Sequence, residues 1–316
     1  MALQPVLIGG RWQVRGNETA SFRAVNPATR ALLPDSYPVS DEAVLEEALA
    51  AGREAAVALR SVAPEAIARF LELCAEQVEA RTDALVEMAH LETAFPKEPR
   101  LRSVELPRTT GQLRQAARAA RERSFCRPTI DSQANIRSMH GPLGSPVAVF
   151  GPNNFPFAFN GIMGGDFAAA IAAGNPVLGK ANPSHPGTTR ILAEAALEAV
   201  KAAGLHPATV QLIYRVPGEL GLKLVAHPLI GATGFTGSRK AGLKLKAAAD
   251  AAGKPIYLEM SSVNPIFILP GALAERSDEI AGELFASCRT APSRGCTTQR
   301  ARPRSRRSAR PGPPAG

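Results

Sequence analysis

From residue 145 onward the chain alternates short apolar runs with longer, alanine-rich amphipathic stretches. The runs are "PVAVFG", "NPVLGK", "VQLIYR", "LIGATGFTG" and "PIYLEM", each of a length suited to a buried strand. Between them, helical spacing covers about 161–173, 186–204, 217–226 and 238–252. Strands separated by helices of this length predict βαβ units, and so a parallel sheet covered on both faces. Right-handed crossovers then build a doubly wound α/β domain. Before residue 145 the texture differs. Residues 6–26 read as short strands around Gly9-Gly10 and Asn17-Glu18, and "RAVNPATRALL" continues the extended region. Three helical stretches follow. Ser40-Asp41 caps the first, in which Val44, Leu45, Ala48 and Leu49 share a face. In the second, Ile67, Phe70, Leu71, Cys74 and Val78 form a buried stripe. The third is the polar segment of about 100–123, and no internal repeat is visible.

The helical pattern ends with "ELFASC" at Cys288. The 28 residues from Arg289 to Gly316 contain no Leu, Ile, Val, Met, Phe, Tyr or Trp. Their eight arginines, with no acidic residue among them, account for all but +1 of the formal net charge of +9. A polybasic stretch without aromatics holds phosphates loosely but has nothing on which to stack a base, so nucleic acid is not an expected partner. Of the 28 residues, 23 are Arg, Pro, Ala, Ser or Gly, whose codons are mostly rich in G and C. Such a mixture is expected from a GC-rich gene read out of frame. The expectation is a frameshift near codon 289, followed by an unstructured tail over 289–316. Translating the gene there in three frames checks it. An apolar loop, a Cys-Thr pair and a further domain should appear in another frame.

The remaining composition narrows the classes of function. Four cysteines, Cys74, Cys126, Cys288 and Cys296, do not make a disulfide framework in a chain of 316 residues. Cys74 and Cys288 read as packing residues within helices. The N-terminus lacks a basic start followed by an apolar core, and no window is long and apolar enough to span a bilayer, so a soluble cytoplasmic protein without a membrane partner is expected. His90, His140, His185, His206 and His227 show no metal-ligand spacing, so no metal is expected.

Gly231, Gly234 and Gly237 are spaced three and three, which is not the dinucleotide fingerprint Gly-x-Gly-x-x-Gly. A different set of segments carries the chemistry: "GPNNFPFAF", "IAAGNPVLGK", "GATGFTGSRKAG" and "YLEMSSVNP", in this order. Together they resemble the aldehyde dehydrogenase superfamily. "ETAFPKEPR", "RTTGQLR" and "GGDFAAAIAAGNP" are most similar to its α-ketoglutarate semialdehyde (2,5-dioxovalerate) branch. The resemblance covers residues 5 to about 288.

It implies a Rossmann-like domain at 145–270, N-terminal strands and helices at 1–144 packed on it, and the start of a catalytic domain at 271–288. Most of the catalytic domain and the oligomerisation strand would then lie beyond the match, so the family's homo-oligomer is not expected of this chain. The implied activity is NAD(P)-dependent oxidation of a small aldehyde, such as a short oxo-acid semialdehyde, through a cysteine thiohemiacetal and thioester. The alternative is an inactive fragment that binds nucleotide only.

Aldehyde oxidation needs a nucleophile, donors for an oxyanion and a base for the releasing water. By resemblance Asn154 is the oxyanion donor; read alone, it is a turn asparagine before Pro156. Glu259 matches the general base, and its apolar neighbours Ile256 and Leu258 lead to the expectation of a raised pKa. Cys296-Thr297 lies in register for the nucleophile, eight residues after Cys288; the alternative is coincidence within unrelated sequence. Lys180, at the end of its strand, matches the residue that binds the cofactor's adenosine ribose. Gly237 and Ser238, at a strand-to-helix turn, make an anion site near the pyrophosphate. Many NAD-using members place a Glu three residues after the lysine, whereas this chain has Pro183 followed by Ser184. Without that carboxylate a 2′-phosphate meets less repulsion, which favours NADP, or use of both cofactors, over strict NAD.

Overall fold

The computed structural model describes residues 3–15, 20–262 and 265–289. Asn17-Glu18, Cys296 and the remainder of the arginine-rich segment lie outside the described residues. In chain order the N-terminal region forms β1 (Val6–Ile8), β2 (Arg11–Gln13), β3 (Ser21–Val25), β4 (Leu32–Pro38), α1 (Glu42–Leu59), α2 (Pro64–Ala80), α3 (Thr82–Thr93) and α4 (Leu106–Glu122). A wide helical turn, Lys97–Glu105, leads into α4. A hairpin follows, β5 (Thr129–Asp131) and β6 (Ile136–Ser138). The alternating half is β7 (Val147–Phe150), α5 (Gly165–Ala172), β8 (Val177–Lys180), α6 (Pro186–Ala202), β9 (Val210–Ile213), α7 (Gly218–Ala226), β10 (Ala232–Gly237), α8 (Arg239–Ala251) and β11 (Ile256–Met260), and α9 (Pro270–Arg289) ends the described chain.

The main sheet has the order β11-β10-β7-β8-β9-β1-β2. Its first five strands are parallel, as the buried runs predict, while β1 and β2 add an antiparallel edge. The N-terminal strands therefore extend the same sheet. The chain moves outward from β7 through β8 to β9, then returns to place β10 on the other side of β7. Right-handed crossovers in opposite directions put their helices on opposite faces. α5 and α6 pack with α2, α3 and α4, whereas α7 and α8 pack together. The reversal opens a crevice at the carboxyl ends of β7 and β10, where open α/β sheets receive ligands.

Local expectations hold in several places. Asp41 caps α1, its Oδ1 accepting from the Val44 amide at 3.0 Å. Ile67, Phe70, Leu71, Cys74 and Val78 are all buried on α2, and burial pushes the Cys74 thiol far up. Two elements differ from the sequence reading. α3 stands between the second and third predicted helices, and the exposed β5–β6 hairpin occupies a region given no element.

Candidate active site

A cleft of about 740 Å³ lies over the reversal point of the sheet. It is lined by residues at or just beyond four strand ends: Asn154 and Phe155 after β7, Asn182 and Ser184 after β8, Gly237 at the end of β10 with Ser238 after it, and Glu259 in the last residues of β11. Five residues picked from sequence thus meet in one cleft: Asn154, Ser184, Gly237, Ser238 and Glu259. Lys180 ends β8 behind them, and Cys296 lies outside the described residues.

The loop after β7 is held from several sides. Arg100 donates through Nη2 to the Asn154 carbonyl at 3.1 Å and through Nη1 to Glu105 Oε2 at 2.5 Å. Glu105 is buried, and its Oε1 accepts from the amides of Phe157 at 2.8 Å and Ala158 at 3.1 Å. Burial pushes this carboxyl up, opposed by the adjacent Arg100 and the two amides. On the other flank, Asn182 Nδ2 donates to the Gly151 carbonyl at 3.1 Å, and His185 Nε2 lies 2.8 Å from the Pro152 carbonyl. A carbonyl only accepts, so Nε2 carries the proton and Nδ1 does not. That Nδ1 is buried without a hydrogen-bond partner, and burial pushes the imidazole down to about 4. His185 is therefore a neutral strut under the loop. No motif in the sequence marks Arg100, Glu105 or His185 for this role. Their only signal is a polar side chain at a position the fold buries.

The opposite wall is built from β10, β11 and α8. β10 ends at Gly237, and Ser238 caps α8, its Oγ accepting from the Ala241 amide at 3.3 Å. A Cβ on Gly237 would stand 2.7 Å from the Phe235 ring, so a larger residue at this turn would have to displace that ring. Gly237 and Ser238 line the cleft at the N-terminus of α8, the positive end of that helix's dipole. Arg239 and Lys240 are exposed.

Glu259 departs from its expected setting. Ile256 and Leu258 are half-buried, while Tyr257 and Glu259 alternate outward and are exposed. The apolar enclosure expected around the carboxylate is absent among the described residues, because strand neighbours point to opposite faces. Glu259 instead acts on Asp166, whose carboxyl is pushed up by desolvation and then by the Glu259 charge.

Half-buried Lys180 donates from Nζ to the Ala181 carbonyl at 2.9 Å and lies 5.8 Å from the Phe150 ring centroid. Burial and the charge of Arg215 push it down to about 8. Two cations, Lys180 and Arg215, thus stand near the ends of β8 and β9, and Ser184 at the cleft carries no opposing charge. The groups at the cleft are compatible with a nucleotide: a capped helix N-terminus at Gly237-Ser238, and Lys180 at the end of β8 followed by the neutral Pro183-Ser184. No group of three or more metal-ligating side chains occurs among the described residues, and none of their helices is long and apolar enough to cross a membrane.

Residues 13–300 match the family model for the aldehyde dehydrogenase family. The chain belongs to the aldehyde dehydrogenase family. Among curated relatives it is 41% identical over 273 residues to α-ketoglutaric semialdehyde dehydrogenase 2 of Azospirillum brasilense, covering 83% of this chain and 51% of that one. It is 36% identical over 264 residues to α-ketoglutaric semialdehyde dehydrogenase of Acinetobacter baylyi, covering 80% and 49%. The chain spans about half the length of these relatives. Among solved structures, a mutant of aldehyde dehydrogenase C from Pseudomonas syringae, in complex with NAD+ and octanal, superposes with a TM-score of 0.81 at 24% identity, covering 93% of this chain and 57% of that one. A lactaldehyde dehydrogenase from Escherichia coli gives 0.72 at 23% identity, covering 82% and 52%. The family match runs to residue 300 and so takes in Cys296.

Proposed function

We propose that this aldehyde dehydrogenase chain serves NAD(P)-dependent oxidation of a short oxo-acid semialdehyde, such as α-ketoglutarate semialdehyde, to the acid. The observation that carries the reading is the single cleft at the sheet reversal, which joins Asn154 and Glu259 to Ser184, Gly237 and Ser238. The names of the two curated relatives support the substrate class.

In this reading the Cys296 thiolate attacks the aldehyde carbon, and the Asn154 amide donates to the oxyanion that forms. The family match across residue 296 supports that role for Cys296. Exposed Glu259 takes a proton from the water that releases the acyl group from sulfur. Gly237 and Ser238 hold the cofactor's pyrophosphate, and Lys180 and Ser184 face its adenosine ribose. The nicotinamide cofactor, when bound, accepts the hydride. Arg100, Glu105 and His185 position the Asn154 loop through the hydrogen bonds described above.

NADP is favoured over NAD because Pro183-Ser184, the turn that follows Lys180, carries no carboxylate to repel a 2′-phosphate. Calorimetric titration of the 316-residue chain is expected to show NADP binding at least as tightly as NAD. Pro183→Glu should weaken NADP on the order of tenfold and leave NAD less affected. A clear preference of the unaltered chain for NAD sinks the cofactor assignment. NADP binding without aldehyde-dependent reduction would leave the chain with the nucleotide-binding role alone.

A further inference from the structure

Two arginines stand over the aromatic wall of the cleft, and only one is neutralised. Phe155 and Phe159 both line the cleft and meet edge to face, with centroids 5.0 Å apart and planes at 88°. The Arg100 guanidinium lies 4.6 Å from the Phe155 centroid, and its charge is met by buried Glu105. Arg108, in the first turn of α4, lies 4.9 Å from the Phe159 centroid and 5.7 Å from that of Phe155. It is exposed and has no carboxylate partner among the described residues. Its neighbours Arg102 and Arg114 both do, pairing with Asp83 and Glu79.

We propose that Arg108 is the specificity-determining residue that receives the carboxylate of an anionic aldehyde in this cleft. Contact with the faces of two rings holds the guanidinium at the wall, and its N–H groups suit a bidentate carboxylate. The charge in the cleft lining orients such a ligand the same way. Glu259, on β11, repels a carboxylate, while Arg108, over the Phe155–Phe159 wall, attracts it. The short apolar stem between aldehyde and acid then lies along the Phe155–Phe159 pair. This deepens the functional reading above and rests on it.

The test uses the full chain, with NADP as one probe and 2-oxoglutarate, the dianionic product of the proposed reaction, as the other. Dimethyl 2-oxoglutarate serves as the uncharged control. Calorimetry is expected to show that the NADP-loaded chain binds 2-oxoglutarate and binds the diester more weakly. Arg108→Gln should weaken 2-oxoglutarate on the order of tenfold or more, Arg108→Lys should weaken it less, and neither should change NADP affinity. Salt should weaken 2-oxoglutarate binding in the unaltered chain and have less effect in Arg108→Gln. If the chain binds NADP but not 2-oxoglutarate, or if Arg108→Gln binds 2-oxoglutarate unchanged, the Arg108 assignment is overturned and the functional reading stands. If the chain binds neither probe, both are overturned.

Discussion

Glu105→Ala is expected to lower the free energy of unfolding by about 3–5 kcal/mol, the loss typical of breaking a buried ion pair from one side. The carboxylate meets Arg100 at 2.5 Å, and Arg100 has only 16% of its side chain exposed. Its removal strands that guanidinium and also the amides of Phe157 and Ala158. Each stranded group retains its desolvation cost with nothing to offset it. Glu105→Gln keeps an oxygen for the two amides while withdrawing the charge, so it should lose less. Urea unfolding of the two variants against the unaltered chain measures both effects. A loss below about 1 kcal/mol for Glu105→Ala would place this pair with exposed surface bridges and would end its role as the clamp of the Asn154 loop. The local consequence should be visible as well. Arg100 is the donor to the Asn154 carbonyl, so releasing it from Glu105 should loosen the loop that carries the oxyanion donor.

The parts of this molecule that were legible in sequence are those written in short range. A parallel strand buried on both faces must be a continuous apolar run, which is why β7 to β11 could be placed and their crossovers inferred. Ligands gather at the carboxyl ends of such strands, but it was the match to family motifs at those ends that marked Asn154, Lys180, Ser184, Gly237, Ser238 and Glu259. α3 was not legible because its buried face is not apolar throughout. Leu85, Val86 and Ala89 share burial with Glu92 and Thr93, which blurs the helical stripe. The β5–β6 hairpin buries none of its strand residues, so no alternation betrays it. The supports of the site were hidden for a third reason. Arg100 and Glu105 act on residues more than fifty positions away, and His185 reaches back to Pro152. No local pattern encodes such pairings. The enclosure expected for Glu259 failed because sequence neighbours on a strand are not spatial neighbours.

The stability of the Glu92→Gln variant relative to the unaltered chain should depend on pH, and the sign follows from how Glu92 is held. This carboxylate, on α3, caps α6: Oε1 accepts from the Gly187 amide at 2.7 Å, and Oε2 accepts from the amide and the hydroxyl of Thr188 at 2.9 and 2.7 Å. These bonds favour the charged form, yet burial outweighs them and pushes the carboxyl up to about 7. A carboxyl raised in the folded state binds its proton more tightly there than in the unfolded chain. Its stabilising contribution is fully present below the ordinary carboxylate value and is lost as pH rises through about 7. A shift of this size corresponds to roughly 3 kcal/mol. The unaltered chain should not show that slope cleanly, because His185 opposes it. An imidazole pushed down to about 4 stabilises the fold above the ordinary histidine value and loses that contribution as pH falls. The two groups sit at the start of the same helix and pull stability in opposite directions across the mildly acidic range. Subtracting the variant isolates Glu92. Urea unfolding at a series of pH values from mildly acidic to mildly alkaline should therefore show the stability of the unaltered chain, relative to Glu92→Gln, falling by roughly 3 kcal/mol as pH rises. A difference that stays level across the series would mean that Glu92 is already ionised throughout, with its three donors outweighing burial.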